Sequence, residues 1–281
     1  MPHPLNVACL QTRPQPTMET ALNEVLPLAE KAVQNGAQML FLPEYCGGLV
    51  TDGPAVRPPF ADEDDHAFLL AMQAFARDNR VWINLGSIAV TGPGEKVINR
   101  GIMLDDHGQI RGRYDKINMF DIQLSDAEVY RESAFVEPGN RAVIHDTPHA
   151  RVGHVICYDL RFPDLFRTLA QNGADILICP AAFTRKTGEA HWHVLNRARA
   201  IETTRFVIST CATGDVPGGG ECYGHSLIVN PWGEVLGDGG TEPGIVQVTI
   251  DLDQVEETAA RIPSLMSEQP FTLEAAKAHI A

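Results

Sequence analysis

Three side chains capable of chemistry each follow an apolar run. Met39-Leu40-Phe41-Leu42 is followed by Glu44, the segment through Arg113 and Tyr114 by Lys116, and Val152 to Ile156 by Cys157. A carboxylate can take a proton and later activate water. An ammonium can steady the negative charge of a tetrahedral intermediate, and a thiol can attack a carbonyl carbon and carry the acyl group. Each has a plain alternative: an exposed loop acid, a solvated lysine, and a small buried cysteine. Their shared placement outweighs those alternatives, because residues just past strand ends in α/β proteins converge on one rim, where ligands bind.

Cys157 stands where a strand gives way to a turn and then to a helix read over Arg161 to Ala170. Backbone N–H groups left unpaired at such a junction favour a thiolate and can receive a developing oxyanion. No histidine completes a cysteine-protease pair. His191 and His193 lie two apart on an expected helix and face different directions, which argues against a dinuclear metal pair.

The elements that would position these groups alternate. Strands are read at Leu5–Gln11, Gln38–Leu42, Val81–Ser87, Val97–Leu104, Gln109–Tyr114, Ala142–His145, Arg151–Ile156, Asp175–Pro180, Arg205–Cys211, His225–Asn230, Glu234–Leu236 and Ile245–Ile250. Helices are read at Glu19–Asn35, Asp62–Asp78, Glu189–Thr203 and Asp251–Ile262. Asp105-Asp106-His107-Gly108 and Pro231-Trp232-Gly233-Glu234 read as hairpin turns. The acidic run Asp62-Glu63-Asp64-Asp65 suits the start of its helix, where the dipole favours negative charge, better than a metal. Asp215 to Glu221, with Gly218-Gly219-Gly220, lacks the Lys-Ser/Thr of a phosphate-binding loop and is expected as a flexible surface loop. No composition shift divides the chain, so residues 1–281 are read as one mixed α/β domain.

With 281 residues, the chain can bury a large core without disulfide or metal staples. A net charge of −14 argues against a nucleic-acid partner, which needs a basic face. No apolar run reaches membrane-spanning length, and Met1 to Val7 lacks the charged-then-apolar pattern of a secretory leader, so a cytoplasmic protein is expected. The six cysteines lack paired metal spacing and are expected as free thiols: Cys9, Cys179 and Cys211 in strands, Cys222 in a loop.

These residues together resemble the nitrilase, or carbon–nitrogen hydrolase, superfamily over nearly the whole chain. Phe41-Leu42-Pro43-Glu44 looks like its glutamate motif and Tyr114-Asp115-Lys116-Ile117 like its lysine motif. Ile156-Cys157-Tyr158-Asp159-Leu160-Arg161-Phe162-Pro163 looks like its cysteine motif. The resemblance implies a four-layer α-β-β-α sandwich and a triad of Glu44, Lys116 and Cys157. It also implies an oxyanion site formed by Lys116 and the backbone N–H of Tyr158, with Glu132 as a second glutamate orienting Lys116 or the substrate amide. Within the superfamily, Ala190-His191-Trp192-His193, Arg197 to Glu202, Tyr223-Gly224-His225-Ser226 and Asn230-Pro231-Trp232-Gly233 look closest to the Nit branch of ω-amidases and deaminated glutathione amidases. Asp115 departs from the arginine that commonly precedes the lysine there, and the tail after Ile262 is unusual.

The expected reaction is hydrolysis of an amide of a small carboxylate-bearing molecule through a thioester at Cys157, with no cofactor and no metal. Arg161 is a candidate for the substrate carboxylate and Phe183 for the pocket wall. The alternatives are an N-carbamoyl-amino-acid hydrolase and a non-catalytic metabolite-binding protein of the same fold. The expected partners are a small-molecule amide and further copies of the chain, as a homodimer or larger homo-oligomer, without nucleic acid or membrane.

Overall fold

The structure, a computed structural model, describes residues 3–53, 55–125 and 128–274. The readings of the first two residues and of the last seven, 275–281, therefore lie outside the described residues. The main strands in chain order are β1 (Pro4–Gln11), β2 (Met39–Phe41), β3 (Trp82–Thr91), β4 (Val97–Leu104), β5 (Ile110–Asp115) and β6 (Val143–Asp146). They continue as β7 (Arg151–His154), β8 (Ile176–Ile178), β9 (Phe206–Ser209), β10 (Leu227–Val229), β11 (Val235–Asp238) and β12 (Gly244–Asp251). The helices are α1 (Met18–Gln34), α2 (Ala67–Asn79), α3 (Pro163–Gln171), α4 (Arg185–Thr203) and α5 (Asp253–Arg261).

Two sheets result. One runs β12-β1-β2-β3-β4-β5, with the short strand Phe60–Ala61 added against β3, and the other runs β6-β7-β8-β9-β10-β11. Successive strand side chains point to opposite faces, and the apolar residues follow that rule on both sheets. Ala8 and Leu10 of β1, with Leu40 of β2, pack against Val25 and Ala29 of α1 and Phe68 and Met72 of α2. Their neighbours Val7, Cys9, Met39 and Phe41 pack on the opposite face, against Val152, Ile176, Ile178, Phe206 and Ile208 of the second sheet. Leu177 and Val207 then face Phe166 and Leu169 of α3 and Trp192 of α4. Helix, sheet, sheet and helix therefore stack in four layers, as the family resemblance implies. The strands read as continuous apolar runs because both of their faces are covered.

Strand direction brings the chemistry to one rim. β1, β2 and β3 are parallel, and two antiparallel steps through β4 return β5 to the direction of β2. Glu44 and Lys116 therefore leave the same edge of their sheet. β7, β8 and β9 are likewise parallel, so Cys157 and Ala182 leave one edge of the other. The edges meet, because the Ala182 N–H donates to Glu44 Oε2 at 2.8 Å.

Several boundaries differ from expectation. The acidic run forms a short 3-10 turn, Glu63–Asp65, and the α-helix begins only at Ala67, where His66 caps it through Leu69 N–H. β3 continues past Ser87 to Thr91. Cys222 is buried in the short strand Glu221–Tyr223, which pairs with Thr213–Asp215, so it is not a loop thiol.

Candidate active site

Lys116 is the centre of the site. It is 2% exposed, which no lysine tolerates without compensation. Its Nζ lies 2.9 Å from Glu44 Oε1, and 3.0 and 2.9 Å from the two oxygens of Glu132. Both acids are buried and further tied down. Asn99 Nδ2 donates to Glu44 Oε1 at 2.9 Å. The Phe120 N–H donates to Glu132 Oε2 at 2.6 Å and the Tyr45 hydroxyl to Glu132 Oε1 at 3.4 Å.

Cys157 opens a one-turn 3-10 helix, Cys157–Arg161, that leads into α3. Its φ of +49° lies in the left-handed region, a costly conformation for a residue with a Cβ and one that collects at functional sites. The turn is fastened from both sides. Cys157 N–H donates to Pro180 O at 2.9 Å. The carboxylate of Asp159, fully buried, accepts from Ile156 N–H, from the Tyr114 hydroxyl at 2.6 Å, and from both the backbone and side chain of Asn118. Tyr114 and Asn118 flank Lys116, so Asp159 clamps the cysteine turn to the lysine loop. Tyr158 N–H belongs to the first turn, whose amides have no intrahelical acceptor.

Cys157, Glu44, Lys116 and Glu132 line a single pocket of about 460 Å³, together with Tyr158 and Phe183. The structure thus brings together every residue assigned to the reacting centre, and Phe183 on the wall. Arg161 is set back from the pocket. Its guanidinium lies over the rings of Tyr158 and Phe183, 5.8 and 5.5 Å from their centroids, and bonds to His191 Nδ1 at 3.2 Å.

A model of the carbon–nitrogen hydrolase family matches residues 6–260. The chain belongs to that family. It is 36% identical over 266 residues to a deaminated glutathione amidase of Synechocystis, a match covering 93% of this chain and 97% of that one. Against the omega-amidase NIT2 of Homo sapiens it is 34% identical over 233 residues, 83% of each chain. Among solved structures it resembles the NitFhit protein of C. elegans, with a TM-score of 0.86 and 28% identity. That match covers 95% of this chain and 65% of the longer protein. These relatives place this carbon–nitrogen hydrolase on the Nit branch.

Burial and charge tune the site of this hydrolase. Burial pushes the Cys157 thiol well above its ordinary value, and the Glu44 carboxylate beside it adds to that, against the opposing pull of Lys116. Both effects favour the protonated thiol over the thiolate. Burial alone would lower Lys116, but Glu132 and Glu44 overcome it and hold the ammonium protonated. Glu132 is raised by burial in spite of Lys116.

Other parts of the site went unread in the sequence. Asn99 lies inside β4, and nothing local marks it as the partner of a glutamate 55 positions away. Gly218, Gly219 and Gly220 line the pocket at the tip of a hairpin rather than forming a free surface loop. Thr51 fixes that tip, its hydroxyl donating to Gly219 O at 2.6 Å and its N–H to Pro217 O at 2.9 Å. Asp115, which stands where the arginine before the lysine is common in the Nit branch, has its own cation: Arg100 grips it at 2.7 and 2.9 Å and also reaches Glu63 at 3.0 Å.

Proposed function

We propose that this chain hydrolyses an amide bond of a small carboxylate-bearing molecule, the class to which deaminated glutathione and ω-amides of dicarboxylates belong, through a thioester at Cys157. The observation that carries the reading is the buried Glu44–Lys116–Glu132 cluster sharing its pocket with the Cys157 thiol. The names of the relatives support the substrate class.

The chemistry follows from the charges. Two carboxylates and one ammonium sum to one negative charge, which disfavours a resting thiolate and calls for a base at the moment of attack. Glu44 takes the thiol proton as the sulfur–carbon bond forms. The resulting oxyanion is received by Tyr158 N–H and by an ammonium hydrogen of Lys116. Glu132 holds that ammonium in place, using both oxygens. Glu44 then gives its proton to the departing nitrogen, and ammonia or an amine leaves as the carbonyl reforms. Water deprotonated by Glu44 attacks the thioester, and the sulfur recovers its proton as the acid is released. Arg161 contributes to holding the aromatic wall of Tyr158 and Phe183.

The same reading makes the protein a single cytoplasmic domain working as a homodimer or larger homo-oligomer, on a small molecule rather than on nucleic acid or a membrane. Among the described residues no helix is long and apolar enough to cross a membrane. The deciding experiment is a screen for ammonia or amine release over dicarboxylate monoamides, deaminated glutathione and N-carbamoyl amino acids. Release of the acid and nitrogen product from the first two classes is expected. Carbon dioxide appearing with ammonia from the third alone would overturn the amidase assignment.

A further inference from the structure

We propose that His193, His225 and Asp238 form a binding site for a divalent transition-metal ion of the zinc class, outside the catalytic pocket. One ligand atom from each residue lies within 4.8 Å of the other two. His193 Nε2 is 3.0 Å from Asp238 Oδ2, and His225 Nδ1 is 2.8 Å from Asp238 Oδ1. An ion with tetrahedral bonds of about 2.0–2.1 Å separates its ligand atoms by about 3.3 Å. The two His–Asp contacts need to open slightly, and every pair of ligand atoms already lies within 4.8 Å.

Three separate elements hold the set. His193 is fixed on α4 and Asp238 at the end of β11. The carboxylate of Asp238 also accepts the Gly240 N–H at 2.9 Å. His225 stands between them with φ of +53°, in the left-handed region. That strained backbone is pinned at both ends: its N–H donates to Gly240 O at 2.6 Å, and its carbonyl accepts Trp192 Nε1–H at 2.8 Å. Its ring stacks on Tyr223, centroids 4.6 Å apart. A strained, doubly anchored backbone that aims an imidazole at a carboxylate is the form a pre-arranged ligand takes.

Two imidazoles with one carboxylate select zinc-like ions over calcium or magnesium, which take oxygen ligands. A fourth position is left for water or another donor. His225 also lines a cavity of about 560 Å³ with Tyr223, Glu189 and Glu242. The hairpin that ends at Tyr223 contributes Gly218, Glu221 and Cys222 to the catalytic pocket. A bound ion therefore fastens the exit of a pocket-lining hairpin to α4 and β11, and stabilises the fold in proportion to its occupancy.

The test uses the full-length chain carrying Cys157→Ala, so that the active-site thiol does not compete, after treatment with a chelator. Cobalt(II) is titrated against the visible ligand-field spectrum, and zinc(II) by calorimetry and by the thermal midpoint. One equivalent of each ion is expected to bind without a thiolate charge-transfer band, and zinc is expected to raise the midpoint. His193→Gln and Asp238→Asn, made separately, are each expected to weaken binding at least tenfold and to remove the zinc-dependent rise. Absence of stoichiometric binding, a thiolate band, or unchanged affinity in both variants would overturn the assignment and leave the three side chains as a hydrogen-bonded clamp.

Discussion

In the proposed mechanism Glu44 does more than any other side chain, because the base, acid and water-activating roles all fall on one carboxylate. Its oxygens are divided: Oε1 faces Lys116 and Asn99, and Oε2 faces the Ala182 N–H. Glu44→Gln keeps the shape and removes the proton acceptor. It is expected to lower kcat by about 10²- to 10⁴-fold, the range of lost general-base catalysis, while the thermal midpoint stays near that of the wild type. Asn99 does not line the pocket and reaches it through its hydrogen bond to Glu44. Asn99→Ala deletes one hydrogen bond to a charged group, a loss of about 1.5 kcal/mol. Roughly a tenfold fall in kcat follows, with KM little changed; a KM effect with intact kcat would point to a role in binding instead. Asn99 shows how little of a site's support is legible locally. A strand residue donating to a loop acid 55 positions earlier has no signature in spacing, whereas Glu44 and Cys157 each follow an apolar run and Lys116 follows the end of a hairpin strand.

At the scale of elements, the two sheets touch through a pair of histidines behind the cysteine turn. His145 Nε2 and His154 Nδ1 are 3.1 Å apart, and His154 Nε2 meets Gly86 O at 3.2 Å. This chain of hydrogen bonds runs from His145 Nε2–H to His154 Nδ1 and from His154 Nε2–H to Gly86 O, so it needs His154 neutral with its proton on Nε2. Glycine makes the room: a Cβ on Gly101 would sit 2.2 Å from His154, and one on Gly112 would sit 2.2 Å from His145. Burial lowers both rings, His145 from 6.5 to about 4 and His154 well below its ordinary value, the latter with help from its neighbour. The folded-state values are depressed, so the unfolded chain binds more protons between them and 6.5. The stabilisation is therefore complete above pH 6.5 and is lost as pH falls towards 4. His145 alone accounts for about 3 kcal/mol across that window. Chemical denaturation at pH 7.5 and 4.5 should show the loss, and His145→Gln should flatten it. The order of strands and helices was largely legible from apolar periodicity, because each layer buries one face or both. The hairpin carrying Gly218 to Gly220 was not, since its short strands are held by Thr51 from a distant segment.

Taken whole, the molecule places the groups proposed to react where two parallel edges meet, and some segments lie well away from that rim. The stretch after α5 is one. Leu265 is buried, Gln171 Nε2 donates to its carbonyl at 3.4 Å, and Arg167 bonds to Glu268 at 2.6 Å, so this stretch lies along α3. None of these residues lines the catalytic pocket. Ending the chain at Pro263 is expected to cost about 1–2 kcal/mol of stability, mostly the burial of Leu265, with kcat unchanged. A drop in kcat at full folding would tie the tail to the site. The family match across 6–260 and the meeting of Glu44 with Ala182 express one architecture, and the covalent route proposed for it depends on a single sulfur. The most direct measurement is nitrogen-product release from the best amide substrate by Cys157→Ala, with folding verified by an unchanged thermal midpoint. Turnover should fall below detection; a folded variant that still releases ammonia or amine would contradict the thioester route.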